Sequence, residues 1–493
     1  MRAMDLSIRP TALLVGGRLV GSAATVAMPI VLARVFGPHE FGTYKQLFLV
    51  YTTLLLIAPM GMAESLFYFV PRAPRTAGGH VANSLLVLTL AGLAALALLV
   101  GGGRPLAEWL NNPDLLQHTA LLGLFLGLTV ASSFLEIVMV SRGKYLSAAC
   151  SHGGFDLLRA AAFILPAVWF RRLDAVLMGA VAFALLRLLV ALAWSLAEFR
   201  SDFRPSYRPL VEQLSYAIPF GCAALLEIVQ STFHQYAVAH RFDAATFALY
   251  SVGCLQVPVV DLIAQSAGNV LMVRMGEAPG KVETTRALWL DTTSQLAFVL
   301  FPLVALLLVT GPDLIVLLYT NSYAASAPIF RISCLSILFM ALQTDAVLRA
   351  HAQTRFLLVM NGIRLATIAG AIGPCLSALH LLGGAVAMVG ATAVAKGIAL
   401  VRVRRLMGVR VQELLPWRRL AATALASALA CLPALTVRST LEAGTLGLLA
   451  ATGLTYLVSY LTAHWLVPGG EWGPGGRLAW LRSGVAHEAR RAA

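Results

Sequence analysis

The chain has 493 residues, of which 59% are hydrophobic and only 12% charged, with a mean hydropathy of +0.79. A soluble domain carries about 25% charged and about 45–50% apolar residues, so water is not the main solvent of this one. The formal charge of +14 raises nucleic acid as a partner, but the basic residues sit in short loops between apolar runs, not on one face or tail, which favours a topological role for them.

Apolar runs of about 20 residues, enough to cross a hydrocarbon core of roughly 30 Å, recur from Thr11 to Leu466 with short polar breaks. In chain order they predict fourteen spans, at residues 12–33, 46–70, 81–103, 115–140, 151–170, 175–197, 213–239, 247–272, 288–310, 325–348, 356–377, 381–401, 420–437 and 444–466. No gap between them would hold a soluble domain. The first run lacks a following A-x-A site and is expected to stay as a signal anchor. With the N-terminus inside, 24 of the 37 Lys and Arg fall in cytoplasmic segments, 7 in the opposite loops and 6 within spans. Because cytoplasmic loops retain positive charge, this predicts an all-α polytopic membrane protein with both termini in the cytoplasm. The six cysteines (Cys150, Cys222, Cys254, Cys334, Cys375 and Cys431) lie in or beside apolar runs without a CxxC pair. They read as core residues with no disulfide or metal role.

An internal repeat is visible. Phe41-Gly42-Thr43-Tyr44 returns as Phe247-Ala248-Leu249-Tyr250, an offset of 206, and Asp156-Leu157-Leu158-Arg159 returns as Asn361-Gly362-Ile363-Arg364, an offset of 205. Two landmarks more than 100 residues apart share nearly one offset, which predicts two six-helix lobes in tandem. The lobes are expected at residues 1–205 and 206–405, followed by two helices and a basic cytoplasmic tail over 406–493. An even number of spans per unit keeps both repeats in one orientation. The lobes are therefore expected to be related by a pseudo-two-fold axis along the membrane normal, with a hydrated cavity between them.

The stretch Leu32-Ala33-Arg34-Val35-Phe36-Gly37-Pro38-His39-Glu40-Phe41-Gly42-Thr43-Tyr44 resembles the start of the polysaccharide biosynthesis (oligosaccharide flippase) family. That family lies within the multidrug/oligosaccharidyl-lipid/polysaccharide (MOP) exporter superfamily. Residues Gly61 to Pro71, with an acidic residue late in helix two, are similar as well. So is Leu318-Tyr319-Thr320-Asn321-Ser322-Tyr323 followed by Ala327-Pro328-Ile329-Phe330-Arg331-Ile332, although the family's usual glycine after the Leu-Tyr is Thr320 here. The likeness spans most of residues 10–400. Read locally, Pro38 supplies a fixed φ and Gly37 and Gly42 a missing Cβ for a tight turn between antiparallel spans.

The resemblance implies a flippase of the bacterial inner membrane. Its substrate would be an undecaprenyl-diphosphate-linked oligosaccharide, an O-antigen, lipopolysaccharide or exopolysaccharide repeat unit, moved by alternating access with H+ or Na+ coupling. Membrane lipid, and the polysaccharide polymerase and chain-length proteins, would be its partners. Two other readings stay open: a drug or cation antiporter of the same superfamily, and a membrane-embedded polymerase or ligase.

Ionisable groups inside spans cost about 2.5–3.5 kcal/mol on insertion scales and usually face protein or a wet cavity. Helix one offers Arg18, Ser22 and Thr25 at i, i+4 and i+7, and helix seven offers Glu227, Gln230, Ser231 and His234 at similar spacing. The offset of 206 maps Gly21–Met28 onto Glu227–His234, so both polar faces are expected to line the cavity. Arg18 could grip a pyrophosphate of the carrier, or pair with Glu64 to fix helix packing. Glu64, Glu227, His234 and Asp261 are candidates for ion coupling, against interhelical hydrogen bonding as the plainer role. Arg159 and Arg364 are read as matching repeat positions that contact headgroups or anchor helices. Arg187 and Lys396 have no partner in the sequence and read as snorkelling. No GxxxxGK[ST], HExxH or GxSxG motif occurs, so no enzyme activity, cofactor or metal is expected.

Overall fold

The computed structural model describes residues 24–74, 76–277 and 282–466. Among them the regular structure is helical, with no strand. Eleven helices are long and apolar enough to cross a membrane, or twelve if the bent pair Ala244–Gly253 and Pro258–Gly276 is one span. Each coincides with an expected span. The first expected span is described only from Ala24 to Val35 (α1), and the seventh corresponds to the 35-residue helix Tyr207–Arg241 (α10).

The chain forms two compact units, Met1–Ser251 and Val252–Ala493. In the first, α1 is followed by α2 (Pro38–Ile57), α3 (Met62–Arg72), α4 (Ala77–Gly101), α5 (Gly103–Trp109), α6 (Leu115–Ser132), α7 (Leu135–Ser141), α8 (Tyr145–Phe170) and α9 (Leu173–Phe199), then α10 and α11 (Ala244–Gly253). Helix α6 packs against α4 and α9, and α8 against α9. The α4/α6 contact is a backbone approach, since a Cβ at Gly92 would lie 2.6 Å from the Gly127 carbonyl oxygen. Small residues allow such packing where lipid gives helices no hydrophobic reason to associate. Around it Tyr51 stacks on Phe125 at 4.5 Å, and Phe163 meets both Phe48 and Phe125 edge-on.

The repeated tetrapeptides open equivalent helices. Phe41 and Phe247 are each the fourth residue of α2 and α11, and Phe41, Tyr44, Phe247 and Tyr250 are all buried. Gly42 has a packing reason: a Cβ there would sit 1.9 Å from the Ala244 carbonyl oxygen at the start of α11. The turn explanation given for Gly37 does not hold. Its φ is −68°, open to any residue, and a Cβ there would meet nothing.

In the second unit α12 (Pro258–Gly276) is followed by α13 (Val282–Tyr319), α14 (Ala327–Cys334), α15 (Ser336–Met340), α16 (Thr344–Ala350), α17 (Thr354–Leu379), α18 (Leu381–Met407), α19 (Val411–Leu414), α20 (Trp417–Thr440) and α21 (Thr445–Leu466). Trp289, Val347, Val403 and Leu414 share one buried cluster, and the Trp289 indole donates to the Leu414 carbonyl at 2.7 Å. The last two helices dock on α13. Ala426, Ala430 and Ala434 pack with Tyr456 and Tyr460, whose hydroxyl donates to the Phe298 carbonyl at 2.9 Å. Two ion pairs clamp α20 to α13: Arg419–Asp291 at 3.4 Å, and Arg438–Asp313 at 2.6 Å. Residue numbers rise together in both pairs, so α13 and α20 run parallel. Nineteen helical residues separate the two arginines, about 29 Å, close to one hydrocarbon thickness.

Two consecutive helix lengths recur along the chain. Helices α8 and α17 each have 26 residues, with starts and ends both 209 apart; α9 and α18 each have 27, with starts and ends both 208 apart. The fourth span of each repeat is interrupted, between α6 and α7 and between α14, α15 and α16. Side chains that turn back on their own helix accompany both breaks: Ser132 and Ser133 donate to the carbonyls of Thr129 and Val130, and Ser336 donates to that of Ser333. Such back-bonding competes with the helical ladder and bends it.

Candidate functional site

Helix α8 carries His152, Asp156 and Arg159 at i, i+4 and i+7, hence on one face. The Arg159 guanidinium pairs with Asp156 Oδ1 at 3.2 Å and donates through the same Nη2 to Thr25 Oγ1 in α1 at 2.9 Å. His152 Nε2 lies 3.7 Å from the other Asp156 oxygen. Both Arg159 contacts use Nη2, while its Nε–H and Nη1 hydrogens go to neither Asp156 nor Thr25. Arg159 is 32% exposed and Asp156 17%, so the carboxylate holds the arginine from the packed side.

A second arginine stands close by. Arg187 in α9 donates to Glu136 Oε2 in α7 at 2.8 Å and lies over the Phe155 ring at 5.8 Å. Tyr51, hydrogen-bonded to Thr129, feels the charge of both arginines. Side chains of α1, α2, α6, α7, α8 and α9 thus contribute basic and hydroxyl groups to one part of the first unit. Its charges satisfy one another on one side, as buried charge requires. The snorkelling role expected for Arg187 is therefore wrong, since its partner Glu136 comes from 51 residues earlier in the chain. Lys396 is likewise paired, with Asp345 at 3.1 Å.

The expected single polar face of helix seven divides in two. Glu227 and Ser231 are exposed on α10, and Ser231 donates back to the Ile228 carbonyl at 2.9 Å. Gln230 and His234 are buried, and the His234 ring shares a 2.7 Å hydrogen bond with the Tyr250 hydroxyl of the repeated motif. Of the expected face on helix one, Thr25 is on the page above; Arg18 and Ser22 lie outside the described residues.

Glu64 is exposed in the first turn of α3, just beyond the turn at Met60 and Gly61, and not late in a continuous helix. Asp261 occupies the first turn of α12, beyond a 49° bend. Both repeats therefore break their second span and place a carboxylate where the helix N-terminus favours negative charge. Arg364 is half-buried in α17. It is the eleventh residue of that helix whereas Arg159 is the fifteenth of α8, so the two arginines are one turn out of register and not at equivalent positions. No cluster of three or more His, Cys, Asp or Glu suited to a metal occurs among the described residues.

The family model described as "Polysaccharide biosynthesis protein" matches residues 31–328, more than half of the chain. The chain belongs to the polysaccharide biosynthesis protein family. No curated protein sequence matched it. Among solved structures it resembles the lipid II flippase MurJ in an inward closed conformation, with a TM-score of 0.71 at 11% identity, covering 93% of this chain and 98% of that one. It also resembles an inward-facing multidrug resistance MATE family transporter of the MOP superfamily, with a TM-score of 0.59 at 14% identity over 79% of this chain and 94% of that one. A MOP superfamily transporter from Pyrococcus furiosus gives 0.54 at 14% identity, over 81% and 95%. This member of the polysaccharide biosynthesis family has the fold of the MOP superfamily.

Proposed function

We propose that the chain is a flippase that carries an undecaprenyl-diphosphate-linked oligosaccharide across the bacterial inner membrane. A charged, hydroxyl-rich headgroup cannot cross hydrocarbon without polar partners, whereas its polyprenyl tail can stay in lipid. The observation that carries this reading is Arg159, an arginine within a membrane-spanning helix that is held by Asp156 and Thr25 through Nη2 alone, with Nε–H and Nη1 given to neither. Those donors, on a side chain that is always charged, suit the oxygens of a diphosphate.

The termini are proposed to be cytoplasmic, and the polar residues Arg18, Ser22, Glu227 and Ser231 to extend the headgroup's path. Ion coupling is proposed to run through Glu64 and Asp261, the two carboxylates that follow the breaks in the second spans. Support for the pathway comes from the family, and support for transport from the fold shared with a lipid II flippase.

Cells in which this chain is the only flippase for its glycan test the reading. Arg159→Ala and Arg159→Gln should lose surface glycan at unchanged protein level, and Arg159→Lys should retain part of it. Loss of protein in step with export would assign Arg159 to packing alone.

A further inference from the structure

The basic residue of the sixth helix is duplicated together with its acid. Glu136 and Asp345 are 209 apart, and so are Arg187 and Lys396. In each repeat the basic side chain reaches the interrupted fourth span. The two ends are nevertheless built differently. Arg187 meets Glu136 in α7, past the break. Lys396 meets Asp345 at the same step of α16 and reaches in addition the Leu342 carbonyl in the break between α15 and α16.

Three oxygens converge on the Lys396 ammonium: Asp345 Oδ1 at 3.1 Å, Thr344 Oγ1 at 3.0 Å and the Leu342 carbonyl at 3.4 Å. An ammonium has three donors and here finds three acceptors. A carboxylate, a hydroxyl and a carbonyl released by a broken helix are also the oxygen donors with which unwound membrane helices hold small cations. Thr344 is fully buried and also donates to Asp345 Oδ1 at 3.0 Å, which fixes the carboxylate. Arg349, one turn along α16, adds its field to Asp345. The Asp345 side chain is 59% exposed and that of Lys396 22%, so the group can be reached from one side.

We infer that Lys396 is a tethered counterion, its ammonium filling a monovalent-cation site made by Leu342, Thr344 and Asp345, so that this repeat takes no mobile cation there unless the lysine is removed. This goes beyond the proposed transport and does not depend on which glycan is carried. Neither Glu64 nor Asp261, the residues proposed for ion coupling, is among the members of the site.

The test is the melting temperature of the purified full-length protein in choline, sodium, potassium and ethylammonium chloride at matched ionic strength. The wild type should melt alike in all four salts. Lys396→Ala should melt several degrees lower in choline and be raised selectively by ethylammonium or by a small metal cation, because a ligand that binds only the folded state stabilises it. Adding Asp345→Asn should abolish that recovery. A Lys396→Ala protein indifferent to the salt would overturn the inference, as would a wild type raised by sodium through Asp345. Lys396→Gln replaces the alanine variant if the latter does not fold, and the wild-type measurement stands without either.

Discussion

Arg187 donates to Glu136 Oε2 at 2.8 Å, with the two side chains 19% and 18% exposed. A largely buried pair of this kind costs more to halve than to replace. Glu136→Ala should therefore destabilise the protein by about 3–5 kcal/mol, and Arg187→Met combined with Glu136→Leu should regain most of that loss. Unfolding of Glu136→Ala, of Arg187→Met and of the double variant in detergent measures the difference; a double-variant loss equal to the sum of the single losses would show that the pair is not coupled.

Gly42 lies against the Ala244 carbonyl, where a Cβ would be only 1.9 Å from oxygen. Backbone cannot yield as a flexible side chain does, so Gly42→Val should cost at least the roughly 1–3 kcal/mol of ordinary overpacking. Size-exclusion profiles of the solubilised variant should show little folded protein. Gly37→Ala, by contrast, should behave as wild type, because a Cβ there meets nothing and φ is −68°.

Thr320 holds φ at +78°, a region that penalises β-branched residues. Strain of this type is worth about 1–3 kcal/mol, against a glycine entropy cost of about 0.5–1 kcal/mol. Thr320→Gly should raise the melting temperature by a few degrees. An unchanged or lower melting temperature would mean that the loop relieves the strain elsewhere.

The spans were legible because apolar length is a local property of the chain. The repeat was legible too, since Phe41 and Phe247 keep their identity at the same step of their helices. What sequence missed was pairing. Arg187 and Glu136 are 51 residues apart, as are Lys396 and Asp345, and nothing local links them. Only the offset of 209 brings the two pairs into correspondence, and the sequence landmarks repeat at 205 and 206. The offset of 205 pairs Arg159 with Arg364, whereas the 209 between the two helices puts them one turn out of register. The breaks in the fourth spans were hidden for another reason: serine side chains interrupt the helix without interrupting its hydropathy. On α10 the i, i+3, i+4 spacing is broad enough to span two environments, and so Glu227 and Ser231 parted from Gln230 and His234.

The most direct measurement is headgroup movement by purified protein in vesicles loaded with a fluorescent undecaprenyl-diphosphate oligosaccharide, read by a quencher that reaches only the outer leaflet. The wild type should expose the inner-leaflet pool with time, Arg159→Ala should not, and a cationic dye should not be pumped. Dye transport without movement of the lipid-linked sugar would contradict the flippase account and favour a drug or cation antiporter.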